Sequence, residues 1–331
     1  MRARIATALL IVYVVWGSTY LAIALADRSL PPFLMLAFRF ALAGALLYGW
    51  SWRRGDVAAV RPGRREWGAA AVVGGLLLFV DTGGVAWAEE RIASGLTALL
   101  IASVPLFTAL IDRTVFGVRL SLGAIGGIAA GLFGVAMLVG PSADVDPVGA
   151  GVVLVAAFAW AAGSAYARVA PLPRAPFLSA GMQMLCAGAF LAVAGAASGE
   201  LGRLHPEAIS ASSAAAFAFL VVFGSIVAFT AYGWLLRSGA PSVLVSTYAY
   251  VNPAVAVLLG WLLAGERVGG RELAAGAVIV ASVGMLVLAR HPRKAEAPAE
   301  EIDPDVRHRD EQERPLPPPA PRLADLRRAA P

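Results

Sequence analysis

FLMLAFRFALAGALL (33–47) and FLSAGMQMLCAGAFL (177–191) align without a gap, 144 positions apart. Each is apolar enough for a bilayer interior, and together they indicate that the chain is written twice. Three more matches follow in the same order. GSTY (17–20) pairs with GSAY (163–166), Pro105 with Pro253, and GVAML (134–138) with GMLVL (284–288), at separations of 146, 148 and 150. Ordered matches at nearly constant separation are the mark of an internal repeat. The first copy holds Arg39 inside its apolar run, and its mate in the second copy is Gln183.

Composition carries the same message to the whole chain. Of 331 residues, 59% are hydrophobic and 15% charged, with mean hydropathy +0.72. Soluble domains run at about half apolar and about a quarter charged, so most of this chain belongs in lipid. The net charge of +5 does not point to nucleic acid, because the basic residues sit in short clusters between apolar runs. A lone cysteine, Cys186, excludes an intrachain disulfide, and His205, His291 and His308 show no metal spacing.

A helix crossing a bilayer needs about 20 mostly apolar residues. The sequence predicts ten such spans, at 5–25, 33–52, 67–87, 93–112, 121–139, 148–167, 176–197, 211–235, 242–262 and 271–289. The first run is too long for the apolar core of a signal peptide and has a repeat mate, so it reads as a retained span. Basic residues set direction. With the N-terminus in the cytoplasm, fifteen basic residues fall inside and five outside, which predicts both termini inside. The base-free loop GPSADVDP (140–147) then faces out. Beyond Arg290 the composition changes: residues 291–331 hold nine of the 21 prolines, mixed charge and no aromatic residue. That segment reads as a disordered cytoplasmic tail.

The expected domains are a first repeat over 5–140, a second over 148–290, and the tail over 291–331. Five spans per repeat is an odd number, so the second copy enters the membrane upside down. Inverted repeats of this kind are characteristic of secondary transporters, which bind solute near the midplane between the halves.

WGSTYLAI (16–23), LPPFLMLAFRFALAG (30–44), ASVPLFTALIDR (102–113), FGSIVAFTAYGWLLR (223–237) and STYAYVNPAVAVLLGWLLAGE (246–266) resemble the EamA family of the drug/metabolite transporter superfamily. In particular they resemble its YedA-type inner-membrane exporters. The resemblance covers about residues 5–290. It implies an all-α integral membrane protein of ten transmembrane helices in two inverted EamA repeats, in a bacterial-type inner membrane. It also implies a central cavity lined by both halves, and efflux of small metabolites, amino acids or toxic compounds by alternating access. It does not name the substrate. Uptake by the same fold stays open.

Candidate cavity residues follow from depth and chemistry. At 1.5 Å per residue, Arg39 and Asp81 both lie about 9 Å below the same membrane boundary. Charges in hydrocarbon are costly and face a partner or a cavity. The two either pair or face each other across a vestibule, and Asp81 is the candidate for proton coupling. Arg39 has three readings at this point: a fork for a substrate carboxylate or phosphate, a structural ion, or a side chain reaching to the interface. Pro105 and Pro253 fall near mid-span, where freed carbonyls must face protein or water. Tyr248 and Asn252 share a helical face beside Pro253. Trp16, Ser18 and Tyr20 in the first span, Trp160 and Ser164 in the sixth, and Ser103 and Gln183 complete the set. Glycines at 123, 127 and 131 form a small-residue ridge suited to contact between the halves or to a homodimer seam.

Other functions need other residues. An embedded enzyme needs paired carboxylates, a metal cluster or an activated nucleophile, and the intramembrane ionisable groups reduce to Arg39 and Asp81. No phosphate-binding loop marks an ATP-driven pump. A passive channel fits inverted, unequal halves less well than alternating access does. No cofactor is implied. The expected partners are a small solute and the lipid bilayer, with proton coupling and dimerisation left open.

Overall fold

The computed structural model describes residues 2–92, 97, 100–139, 146–264 and 269–288. The expected tail, most of the 140–147 loop and the start of the fourth span lie outside the described residues, as does the side chain of Tyr20. Among the described residues the chain is helical, without a strand.

The helices are α1 (Arg2–Ala26), α2 (Pro32–Arg53), α3 (Arg64–Glu89), α4 (Val104–Val115), α5 (Leu122–Val139), α6 (Pro147–Val169), α7 (Pro176–Ala197), α8 (Ala211–Arg237), α9 (Tyr248–Ala264) and α10 (Gly270–Leu288). Of these, α1, α2, α3, α6, α7 and α8 are long and apolar enough to cross a membrane, and α5 and α10 carry shorter apolar stretches. Prolines start three of them. Pro32, Pro147 and Pro176 stand in the first helical turn, where the missing N–H costs nothing. The free amides that follow find acceptors. Glu200, itself buried, accepts from Phe33 N at 3.2 Å and Leu34 N at 2.8 Å. Asp146 caps α6 through Val148 N and Gly149 N. A carboxylate at a helix N-terminus is favoured by the backbone dipole as well as by the bonds.

Two spans are broken near one end. A turn at 102–103 precedes α4, and a turn at 246–247 separates the helical turn Ser242–Val245 from α9. Two others change pitch midway. Residues Gly75–Gly83 of α3 and Leu220–Phe229 of α8 are π-helical. Such wide turns are rare and gather at functional sites. These too are positions that the repeat places opposite each other.

The repeat mates pack on one another. α2 lies along α7 and α5 along α10, while α1 packs on α8 and α9, and α6 on α3 and α4. Glycine makes the first contact close. A Cβ on Gly44 would stand 2.9 Å from Leu185 N, one on Gly181 2.9 Å from Tyr48 N, and one on Gly188 2.9 Å from Ala41 N. Backbones that approach this way gain dispersion contact that lipid cannot match. The glycine ridge of α5 also turns inward: added Cβ atoms at Gly127, Gly131 and Gly134 would meet Leu286, Tyr250 and Ile279. For these positions the contact is within the chain, not a dimer seam.

Candidate functional site: a central aromatic cavity with two buried charges

Trp16 of α1, Trp160 of α6, Tyr232 of α8 and Tyr248 of α9 form a cluster in which all six ring pairs are 5.0–6.0 Å apart. Tilted and edge-on pairs at these separations are mutually attractive beyond their burial. The polar tips are held. Trp160 Nε1 donates to Tyr232 Oη at 2.8 Å, Ser164 Oγ lies 2.6 Å from the same oxygen, and Trp16 Nε1 donates to Gly224 O at 3.1 Å.

This cluster separates two cavities. The larger, of about 150 Å³, is lined by Trp16, Thr19, Arg39, Phe40, Leu78, Asp81, Thr82, Trp160, Gly224, Phe229, Tyr248 and Asn252, among others. The smaller, of about 70 Å³, contains Gln183, Ser179, Arg174, Thr230, Tyr232 and Arg237. Phe229 borders both. Thus Arg39 and its repeat mate Gln183 line different cavities, each bordered by members of the aromatic cluster.

The π-helical segments supply the walls of the larger cavity. From α8, Ser225 Oγ accepts from Arg39 Nε at 2.8 Å, and the preceding residue, Gly224, offers its carbonyl to Trp16. Gly224 must lack a side chain, because a Cβ would lie 2.8 Å from Arg39 Nη2 and 3.1 Å from Thr19 Cγ2. From α3, the other wide turn brings Leu78, Asp81 and Thr82 to the same space. Arg39 is 6% exposed and Asp81 8%. No ion pair joins them, and neither the Nη atoms of Arg39 nor the carboxylate of Asp81 has a hydrogen-bond partner among the described residues. Both line the same cavity. Of the three readings of Arg39, reaching to the interface is excluded by its burial and by Ser225. Its Nε is anchored, and the guanidinium lies 5.1 Å from the centre of the Phe40 ring.

The other sequence candidates divide. Trp16, Trp160, Tyr248 and Asn252 line the larger cavity, and the Oδ1 of Asn252 is buried without a partner. Ser164 meets Tyr232 behind the cluster, and Gln183 donates to Ser179 at 3.0 Å in the smaller cavity. Ser18 and Ser103 do not line either one. Each bonds the carbonyl three residues back, Val15 at 2.7 Å and Leu100 at 2.6 Å, the usual local alternative for a serine in a helix. Pro105 is the second residue of α4, just past the turn at 102–103, and Pro253 lies one turn into α9; both are buried and outside the lining. Tyr232, Gly224, Ser225 and Phe229 were not singled out from sequence. Their signal was a glycine–serine pair and a tyrosine inside the apolar run FGSIVAFTAYGW.

The end of the bundle beyond the smaller cavity carries two arginine ties, one of them between the repeats. Arg168 of α6 donates to Asp112 Oδ1 of α4 at 2.5 Å, also bonds Ser242 Oγ, and lies 4.2 Å above the Phe116 ring. Arg237 donates to the carbonyls of Pro173 and Leu172 at 2.7 and 3.1 Å. The opposite end is open as a mouth of about 520 Å³ with Asp27, Glu89 and Glu90 facing Arg28, Arg203 and His205. More than a third of Asp27 is exposed, yet partial burial and the nearby Glu200 and Glu90 carboxylates raise its pKa to about 6.

The EamA-like transporter family description matches this chain twice, over residues 4–140 and 147–288. The chain belongs to the EamA family. The chain is 39% identical to the "Uncharacterized inner membrane transporter YedA" of Escherichia coli K12, over 86% of this chain and 90% of that protein. Likeness extends to the WAT1-related protein At3g02690 of Arabidopsis thaliana, 25% identical over 84% of this chain and 68% of that one. Protein PecM of Dickeya dadantii is 24% identical over 82% and 88%. A solved crystal structure superposes with a TM-score of 0.72 at 22% identity, over 88% of this chain and 99% of its own, which shows a shared fold. As an EamA member the chain is a membrane transporter, not an enzyme. It works in a lipid bilayer on a small solute.

Proposed function

We propose that this EamA chain is a ten-span secondary transporter that exports small charged or zwitterionic metabolites, amino acids among them, by alternating access. One observation carries the reading. Two buried and opposite charges, Arg39 and Asp81, with no ion pair between them, line one aromatic-walled cavity built by helices of both repeats.

Burying an unpaired charge is costly unless something compensates it. A solute with an acidic group for the Arg39 fork and an amine or hydroxyl for Asp81 would satisfy both at once. Its apolar part would rest on Trp16, Trp160 and Tyr248. The pairing of repeat mates α2 with α7 and α5 with α10, and the exchange pattern of α1 and α6, support two inverted repeats over 5–140 and 148–290. The broken helices at 102–103 and 246–247 support spans four and nine. The basic-residue count and the name of the YedA relative support an inner-membrane protein with both termini in the cytoplasm. On that orientation the mouth faces out, and the Arg168–Asp112 pair closes the cytoplasmic side. Asp81 is the proposed proton carrier.

Reconstituted protein should exchange labelled amino acids across liposomes, with flux that saturates and responds to a proton gradient. Flux that rises linearly with concentration would replace this reading with a channel.

A further inference from the structure

Next to the mouth lies a second large recess that no transport step uses. It is an apolar groove of about 530 Å³ between α2 and α8, walled by Met35, Phe38 and Leu42 on one side and Ala214 and Phe217 on the other. Phe38 and Leu42 are about half exposed. The groove and the mouth share Leu30 and meet along one strip of chain, residues 203–209. That strip is sorted by chemistry. Leu204, Pro206 and Ile209 face the groove, while Arg203 and His205 face the mouth.

The result is an amphiphile-shaped site, with a wholly apolar slot inside the membrane-spanning region joined to a polar chamber at its end. The slot opens on the bilayer, so hydrocarbon is what reaches it. The chamber holds charges of both signs: Arg28, Arg203 and His205 against Asp27, Glu89 and Glu90. Arg203 stands 3.8 Å from Glu90, and His205 3.5 Å from Glu207; both separations are at or beyond the limit of a hydrogen bond and the side chains are exposed, so these pairs can give up their partners to a headgroup.

We propose that groove and mouth together seat one zwitterionic aminophospholipid. Its acyl chain fills the slot between α2 and α8, its phosphate sits by Arg203, and its ammonium points toward Glu89 and Glu90. A primary ammonium donates charge-assisted hydrogen bonds to carboxylates, whereas a quaternary one has no N–H to donate. An anionic headgroup would meet the three acids unfavourably. Because α2 and α8 belong to different repeats, the chain would brace the seam whose inner face is the Arg39–Ser225 bond.

The test is native mass spectrometry of the full-length, delipidated protein. Phosphatidylethanolamine, phosphatidylcholine and phosphatidylglycerol of equal chain length are each added in turn. One phosphatidylethanolamine should be retained, with affinity about tenfold or more above the other two, as the loss of one charge-assisted hydrogen bond implies. Ala214→Trp, which fills the slot, should abolish retention. Leu42→Trp fills it from the other wall and serves if the first variant misfolds. Leu273→Trp, on an exposed face elsewhere, should change nothing. Arg203→Ala, which removes the phosphate contact the two lipids share, should weaken phosphatidylethanolamine and phosphatidylcholine alike, whereas Glu89→Gln combined with Glu90→Gln should leave phosphatidylethanolamine no better than phosphatidylcholine. Equal retention of all three lipids, or full retention in both slot-filling variants, would overturn the proposal.

Discussion

Replacing Asp112 probes the closed end of the cavity. Its side chain is 6% exposed and that of Arg168 22%, so the pair is neither a screened surface contact nor fully buried. Surface pairs contribute at most about 1 kcal/mol, but hydrogen bonds to charged groups reach about 1.5–3 kcal/mol. Asp112→Asn keeps an acceptor and loses the charge, costing the closed form about 1.4 kcal/mol, or tenfold in the open fraction. Asp112→Ala also strands Arg168, whose Nε already lacks a partner, and should cost about 2.8 kcal/mol, a hundredfold. A cysteine at Ser179, buried in the smaller cavity, reports opening through its labelling by an impermeant maleimide once Cys186 is replaced. While the closed form dominates, the labelling rate scales with the open fraction. It should rise about tenfold in Asp112→Asn and about a hundredfold in Asp112→Ala. On top of Asp112→Asn, Arg168→Gln should add only what its contacts with Ser242 and Phe116 contribute, because the Asp112 bond cannot be lost twice. Rates within twofold of the parent for both Asp112 variants would refute the role given to this pair.

Ser225→Ala frees Arg39 from its anchor, and the half-saturation concentration for carboxylate-bearing solutes should rise about tenfold with a smaller change in maximal rate; transport kinetics would show it. Gly188→Ala forces α2 and α7 apart at a 2.9 Å contact and should destabilise the fold by about 1–3 kcal/mol, read as a lower unfolding midpoint in detergent. The raised pKa of Asp27, about 6, means that the folded protein binds more protons than the unfolded chain between about pH 4 and 6. Stability should therefore fall as pH rises through that window, and Asp27→Asn should flatten the profile of unfolding midpoint against pH.

Much of the bundle could be read from the sequence because the bilayer dictates helix length. Span seven was placed at 176–197, the limits of α7, and α5 differs from its expected span by one residue. The site was legible where a residue type is expensive in lipid. Arg39, Asp81, Trp16 and Asn252 stood out for that reason, and they meet in one cavity. Ser18 and Ser103 stood out equally but spend their hydroxyls on their own helices, a difference that residue type cannot carry. Tyr232 and Ser225 stayed hidden for another reason. Arguments about helical faces assume 3.6 residues per turn, and the π-helical stretch 220–229 breaks that count just before Tyr232. The glycines were read as a ridge of open destination. Residue type does not distinguish Gly127, where an added Cβ would meet Leu286, from Gly276 of α10, where it would meet nothing.

The most direct test of the account is solute exchange by purified protein in liposomes, comparing the parent with Arg39→Gln. The account predicts saturable exchange of labelled amino acids that is lost in Arg39→Gln while the variant still folds and inserts. Saturable exchange that Arg39→Gln leaves untouched would contradict it, because the solute would then bypass the cavity that Arg39 and Asp81 both line.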